Sequence, residues 1–132
     1  MRKMKIDSLP LSITVLLLLC FVAGCAEKLM PVSGKVTYNG EPVKSGVITF
    51  VPDFSKGNNG GGTAAEIIDG EYTLKSEFGI LGGAYHVTIS GNDGVVEEDF
   101  PVGKPLFPDY KIDYDFKESD AVFDIDVPGK KR

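Results

Sequence analysis

The chain offers few side chains of the types that act as catalytic bases or nucleophiles. It contains one histidine, His86, and two cysteines, Cys20 and Cys25. Nucleophilic catalysis by Ser or Cys needs a base held against the nucleophile, and neither a second histidine nor a nearby cysteine accompanies His86. We therefore interpret His86 as a residue of a sheet surface. A cluster of His86 with several carboxylates would instead indicate an enzyme.

Two pairs of aspartates, Asp113 with Asp115 and Asp124 with Asp126, are spaced two residues apart. Residues two apart in a β-strand project from the same face, and two such pairs on adjacent strands could supply the oxygen ligands that Ca²⁺ takes. The alternative is a solvated face that keeps the sheet soluble and discourages edge pairing. Because the chain has no Asp-x-Asp-x-Asp-Gly loop, we favour the solvated face and predict neither a metal site nor a cofactor.

The glycine-rich segment at residues 55–62 (SKGNNGGG) is predicted to be a flexible loop with nothing to bury. A phosphate-binding loop of this kind continues into Gly-Lys-Ser/Thr and a helix. Neither feature follows the segment, so we do not predict nucleotide binding.

The first 24 residues have the composition of a targeting segment. Arg2, Lys3 and Lys5 precede an almost wholly apolar stretch from Leu11 to Val22, and small residues follow it. This order is typical of a secretory signal peptide. The apolar stretch is shorter than the roughly 20 residues that a membrane-spanning helix needs. We therefore predict a signal peptide over residues 1–24.

The tetrapeptide Val22-Ala23-Gly24-Cys25 resembles the bacterial lipobox, in which an aliphatic residue and two small residues precede a cysteine. The resemblance implies cleavage between Gly24 and Cys25 and attachment of diacylglycerol to the nucleophilic thiol of Cys25. The residue after the cysteine is Ala26 and not Asp; by resemblance to the sorting rule of many double-membrane bacteria, this implies delivery to the outer membrane. The alternatives are a chance cysteine after an ordinary signal peptide and a membrane anchor over residues 9–24.

Cleavage would leave 108 residues, with 11 basic and 18 acidic side chains, which is enough for one domain. Nucleic-acid binding needs clustered Lys and Arg, and the only basic cluster is the short tail at residues 130–132. Cys25 would be the only cysteine, so no disulfide can form within one molecule. The predicted partners are the membrane, through the lipid, and an envelope protein or a glycan; the oligomeric state stays open.

From Val32 onward, short alternating segments are separated by Gly, Asn, Asp and Pro, a pattern typical of an all-β sandwich. We assign residues 25–31 to a lipidated tether and residues 32–132 to one domain of about seven strands. The strands are predicted at residues 32–38, 47–51, 63–68, 72–75, 84–90, 110–116 and 123–127. The predicted core consists of Val36, Tyr38, Ile48, Phe50, Ile68, Tyr72, Leu74, Tyr85, Val87, Ile89, Phe123 and Ile125.

Three further features bear on how the strands are arranged. The segment Val47–Val51 is apolar on both faces apart from Thr49, which indicates a central strand. Residues 95–108 contain three prolines and are predicted to wrap the outside of the domain. Three tyrosines could stack on a sugar if they faced outward, but their strand pattern places them on the apolar side: Tyr38, Tyr110 and Tyr114.

The opening VSGKVTYNGEPV at residues 32–43 resembles that of carboxypeptidase-regulatory-like, or transthyretin-like, domains. Residues 69–74 (DGEYTL) resemble the hairpin of that family, and residues 83–89 (GAYHVTI) resemble a later strand, with Gly82 where proline is usual. The similarity covers residues 32–90. It implies a seven-stranded Greek-key sandwich that acts as an accessory, stabilising or binding module.

The same resemblance raises one enzymatic possibility, because the hydrolase of 5-hydroxyisourate shares the transthyretin fold. That enzyme uses several His and Arg residues and ends in Tyr-Arg-Gly-Ser, whereas this chain has one His and ends in PGKKR at residues 128–132. We therefore expect a non-catalytic envelope module. A small metal-dependent or hydrolytic envelope enzyme is the alternative.

Overall fold

The computed structural model describes residues 27–130, and these residues form an all-β fold. Eight strands account for the regular structure, together with two short 3-10 turns at Phe54–Lys56 and Ser76–Phe78. The strands are β1 (Val32–Tyr38), β2 (Glu41–Pro42), β3 (Ser45–Pro52), β4 (Thr63–Ile68), β5 (Glu71–Leu74), β6 (Gly83–Asn92), β7 (Tyr110–Phe116) and β8 (Ile125–Val127). The all-β prediction is therefore confirmed. Within residues 27–130, none of the helical segments is long and apolar enough to cross a bilayer.

Seven of the strands form one curled antiparallel sheet in the order β2-β1-β5-β4-β3-β6-β7. The short strand β8 lies outside this path and pairs in parallel with the second half of β1, where Val36 lies opposite Ile125. Strand β3 lies between β4 and β6, with Ile48 opposite both Ala65 and Ile89. The prediction that this apolar segment is a central strand is confirmed.

Two tight turns, each formed by an Asn-Gly or Asp-Gly dipeptide, connect neighbouring strands. Asn39 and Gly40 have φ values of 53° and 79°, and Asp69 and Gly70 have φ values of 49° and 78°. Asn, Asp and Gly are the residues that adopt positive φ at low cost, which makes these dipeptides favourable in tight hairpins. The first turn joins β1 to β2, and the second joins β4 to β5.

The core lies on the concave side of the curled sheet, where alternate residues of the strands meet. Nine of the predicted core residues are buried, and Tyr38 and Phe123 are partly buried against them. The prediction for Ile68 was wrong: its side chain is 63% exposed, and Ile67 is buried at 1%. Ala65 lies opposite the buried Ile48 of β3, so the two side chains share the core face of the sheet. Ile67, two residues further along β4, lies on the same face, and Ile68 lies on the other.

Aromatic rings fill the part of the core near β7. Phe116 packs edge-on against both Tyr85 and Phe123, with ring centroids 5.7 Å and 5.0 Å apart. The Tyr72 hydroxyl donates to the Phe123 carbonyl at 2.6 Å. Burial, with a smaller contribution from the Asp124 carboxylate, raises the pKa of Tyr72, so this hydroxyl keeps its proton and its hydrogen bond.

Because neighbouring strands of the sheet are antiparallel, their connecting loops collect at two opposite ends. One end, here called the tether pole, consists of residues 27–31 and the loops 53–62, 75–82 and 117–122. The other end, here called the far pole, consists of residues 39–44, 69–70, 93–109 and 128–130. Residues 95–108 contain no strand, and most of them are exposed, which agrees with the prediction that they wrap the outside; Leu106 and Phe107, however, pack against the core.

Candidate functional site

The predicted lipidation residue Cys25 and the predicted cleavage position between Gly24 and Cys25 lie outside the described residues. The chain that follows them is fixed to the domain at Met30. The Met30 N–H donates to the Ile80 carbonyl at 2.7 Å, and the Ile80 N–H donates to the Met30 carbonyl at 3.0 Å. Met30 also packs against the core. This pair of hydrogen bonds lies five positions after Cys25 in the sequence.

His86 lies on the convex face of the sheet, and half of its side chain is exposed. Its neighbours in β6, Tyr85 and Val87, point to the other face and are buried. The sheet register brings Asp113 of β7 directly beside it. The His86 Nδ1 is 2.6 Å from Asp113 Oδ1, and the His86 Nε2 is 3.6 Å from Asp53 Oδ2. The prediction of a sheet-face histidine is confirmed, but the structure also places it between two carboxylates.

Asp53 is the buried member of this cluster, and it follows the last residue of β3. Its Oδ1 accepts hydrogen bonds from the N–H and the hydroxyl of Ser55, so it caps the 3-10 turn at Phe54–Lys56. The hydrogen bond from the Ser55 hydroxyl is the largest cause that lowers the pKa of Asp53, and His86 also lowers it. Desolvation opposes the shift without reversing it.

The geometry of the cluster differs from that of a nucleophilic catalytic site. A serine nucleophile donates its hydroxyl proton to the base, whereas the Ser55 hydroxyl donates to Asp53. Both ring nitrogens of His86 face carboxylates, so neither is directed at a hydroxyl. The arrangement places the end of β3 beside β6 and β7, with a hydrogen bond between His86 and Asp113 and a turn cap at Asp53.

The two aspartate pairs do not come together. Asp113 lies on β7, which pairs with β6, whereas β8 pairs with β1. The Lys35 N–H donates to Asp124 Oδ1, and the Thr37 hydroxyl donates to Asp126 Oδ1, each at 2.8 Å. The hypothesis that the pairs occupy adjacent strands was therefore wrong. Among residues 27–130, no group of three or more His, Cys, Asp or Glu side chains has metal-binding geometry.

The three tyrosines considered for sugar stacking project to the concave side of the sheet. Tyr38 and Tyr110 are partly buried against the core. Tyr114 is 36% exposed at the edge of the sheet and packs against Phe116 and Phe123, with ring centroids 4.7 Å and 4.6 Å apart. Their hydrophobic sides are therefore largely occupied by neighbouring residues of the same chain.

The glycine-rich segment is more ordered than its composition indicates. Asn58 is buried, its Nδ2 donates to the Ala84 carbonyl at 2.8 Å, and its Oδ1 accepts from the Gly60 N–H at 3.0 Å. The prediction of a loop with nothing to bury was wrong at this residue. Asn58, Met30 and Leu81 are among the residues that line an open groove of about 720 Å³ at the tether pole.

Sequence reasoning missed Asp53 and Asn58 because both lie in a polar segment, and the contacts that join them to the sheet, with His86 and Ala84, are distant in sequence. Comparison of the chain with protein-family models, with curated proteins and with solved structures finds no match. The functional conclusion therefore depends on the residues and geometry of this chain alone.

Proposed function

We propose that this protein is a lipid-anchored, non-catalytic cell-envelope module, held at a membrane through diacylglycerol on Cys25. The single observation that carries the proposal is the lipobox-like tetrapeptide at residues 22–25, placed directly after a basic start and a short apolar stretch. The position of Met30 is compatible with it, since the chain joins the folded domain only a few residues after the cysteine. The favoured location is the outer membrane of a bacterial envelope.

We further propose that the domain is a transthyretin-like, or carboxypeptidase-regulatory-like, Greek-key sandwich. The supporting observations are local. The motif at residues 32–43 forms β1, its turn and β2, and the motif at residues 69–74 forms a turn followed by β5. Such domains act as accessory or binding modules, which agrees with a structural or binding role toward an envelope protein or a glycan. The acidic composition argues against nucleic acid as the partner.

The alternative function is a small hydrolytic or metal-dependent envelope enzyme, and one observation favours it. His86 lies between Asp53 and Asp113, the type of cluster that we expected of an enzyme. However, the hydroxyl of Ser55 is bonded to Asp53 rather than to His86. Because the base is not directed at a nucleophile, we prefer the non-catalytic function.

The anchoring proposal is tested by producing the full-length precursor in a bacterium that lipidates its own lipoproteins. Wild-type protein is expected to partition with membranes and to start at Cys25 with the added mass of diacylglycerol. The Cys25→Ala variant is expected to lack this mass and to lose the partitioning. Cys20→Ala is the matched control, because it removes the other cysteine of the chain while leaving the tetrapeptide intact.

Mass spectrometry of the N-terminal peptide decides the result. A wild-type protein that keeps its first 24 residues, or that begins at Cys25 with a free thiol, would contradict the proposal. A pull-down from detergent-solubilised membranes, compared between the lipidated protein and the Cys25→Ala form, then identifies partners that depend on membrane placement.

A further inference from the structure

Three strongly exposed apolar side chains lie at the tether pole, one on each of its loops. Phe54 is 66% exposed, Phe78 is 63% exposed, and Val122 is 67% exposed. Burying an apolar side chain of this size is favourable, although single exposed apolar side chains are common on protein surfaces. All three, however, belong to loops at the same end of the sheet as Met30, the end nearest in sequence to Cys25, and Phe78 also lines a groove along β4 and β5.

The loops that carry the two phenylalanines have fixed positions. Phe54 begins a 3-10 turn that the buried Asp53 caps. Phe78 ends the second 3-10 turn, and its carbonyl accepts a hydrogen bond from the Thr63 hydroxyl at 2.8 Å. Each ring is therefore held outside the core by hydrogen bonds of its own loop.

The length of the tether limits how far this pole can lie from an anchored Cys25. Met30 is hydrogen-bonded to Ile80, and it lies five positions after Cys25 in the sequence. A fully extended chain covers roughly 3.3–3.6 Å per residue, so the tether spans at most about 18 Å. A lipid on Cys25 would keep the tether pole close to the membrane surface.

The two poles differ in where their charged residues lie rather than in net charge. The tether pole carries four lysines and five carboxylates; the far pole carries three lysines and seven carboxylates up to residue 130, and two further basic residues, Lys131 and Arg132, follow it in the sequence. Lys56 and Lys75 are close in sequence to Phe54 and Phe78, respectively, and both are exposed. At the far pole the exposed Val95 and Val96 precede three consecutive acidic residues at 97–99. Anionic lipids attract basic groups and repel acidic ones.

We propose that the tether pole is a second membrane contact, in which Phe54 and Phe78 enter the bilayer interface beside the lipid on Cys25. The inference rests on the proposed lipidation, since the short tether is what keeps these rings near lipid. Each phenylalanine has a lysine within three residues, Lys56 or Lys75, and an acidic residue directly before it. Apolar side chains with lysines nearby are a combination that interfacial membrane segments use. The contact fixes the orientation of the domain, with the far pole directed away from the membrane.

The chain contains no tryptophan, so each single Trp substitution gives a protein with one fluorescent indole. We would prepare Phe54→Trp, Phe78→Trp and Val96→Trp in the lipidated full-length protein. Val96 is 74% exposed at the far pole, which makes Val96→Trp the matched control. Each protein would be reconstituted into vesicles of phosphatidylethanolamine and phosphatidylglycerol, with and without brominated acyl chains, and flotation would be measured in parallel.

We expect Phe54→Trp and Phe78→Trp to emit at shorter wavelength in vesicles than in detergent-free buffer without lipid, and to be quenched by the brominated chains. Val96→Trp is expected to show neither change. If the proteins float with vesicles but the indoles at 54 and 78 are not quenched, the membrane contact is overturned while the anchor stands. A shift to shorter wavelength without quenching would indicate that protein, such as a second copy of the chain, covers these rings instead. Failure to float would overturn both the anchor and the contact.

Discussion

The two poles of the sheet hold their loops by different means. At the tether pole, buried polar side chains form the hydrogen bonds: Asp53 caps a turn, Asn58 binds the Ala84 carbonyl, and the buried Tyr85 accepts from the Leu81 N–H at 3.0 Å. At the far pole, the half-buried Asp93 accepts from the N–H groups of Val95 and Lys104. The loops of the tether pole are thus tied into the core itself.

The burial of these side chains matters because water replaces a lost hydrogen-bond partner more readily at an exposed site than at a buried one. Loops fixed by buried groups keep their geometry when the solvent changes, whereas loops fixed at the surface depend more on solvent and salt. A membrane contact requires that exposed rings be held in a constant position. The two 3-10 turns of the tether pole meet this requirement. The far pole is joined to the core mainly by apolar side chains, Val43, Leu106 and Phe107, and by backbone hydrogen bonds.

The largest effect is expected from Gly79→Ala, which tests how the tether is attached. An added Cβ at Gly79 would overlap the backbone carbonyl of Met30, so Met30 must separate from Ile80. The loss of two backbone hydrogen bonds and the accompanying strain should lower the free energy of unfolding by about 2–4 kcal/mol. Urea denaturation measures this value, and amide exchange at Ile80 reports the detachment.

Gly82→Ala is the matched control, since its nearest contact would be the Phe116 carbonyl oxygen at 3.4 Å, an ordinary van der Waals distance. The free energy of unfolding of Gly82→Ala should lie within about 0.5 kcal/mol of that of wild type. Equal stability of the two variants, with Ile80 still protected from exchange, would show that Met30 does not fix the tether.

The next effect compares the two poles directly, through Asn58→Ala and Asp93→Ala. Each side chain takes part in two hydrogen bonds with the backbone, but only Asn58 is buried. We expect Asn58→Ala to lower the free energy of unfolding by about 1–2 kcal/mol and Asp93→Ala to lower it by about 0.5–1 kcal/mol. The second loss is smaller because water can accept the hydrogen bonds that the Asp93 carboxylate accepts. Urea denaturation of both variants measures the difference. A larger loss for Asp93→Ala would reverse the comparison of the poles.

The features of the fold that were predicted correctly depend on local patterns. Asn39-Gly40 and Asp69-Gly70 form turns because their residue types adopt positive φ, whatever the rest of the chain does. Alternation likewise located most strands. It misplaced Ile68 because two consecutive isoleucines fit either register, and a shift of one residue moves every side chain to the other face.

Pairings between segments distant in sequence could not be predicted in the same way. Strand β8 runs parallel to β1, so Asp124 and Asp126 bond to β1 rather than facing Asp113. The proximity of Asp53 to His86 depends on the register that places Val51 opposite His86. No local pattern encodes that register, so the cluster was found only in three dimensions. The lipidation of Cys25 stays a prediction from sequence.

The smallest effect concerns the buried carboxylate at the tether pole and its dependence on pH. The pKa of Asp53 is lowered in the fold, chiefly by the Ser55 hydroxyl, with His86 contributing. An aspartate side chain in an unfolded chain has a pKa of about 3.9. The ionised Asp53 carboxylate therefore stabilises the fold above that pH. This stabilisation is lost as the pH falls through the lower pKa of the folded state.

Asp53→Asn removes this titration while keeping a side-chain oxygen that can accept the Ser55 N–H. The difference in unfolding free energy between wild type and Asp53→Asn should therefore be constant near neutral pH and should shrink as the pH falls below about 4. Ser55→Ala removes the hydroxyl that lowers the pKa most, so it should weaken the same acid dependence. Urea denaturation at several pH values measures all three proteins. If the free energies of unfolding of wild type and Asp53→Asn changed in parallel down to the lowest pH measured, Asp53 would have the same pKa in the folded and unfolded chains. The charge of Asp53 would then make no contribution to holding the Phe54 loop.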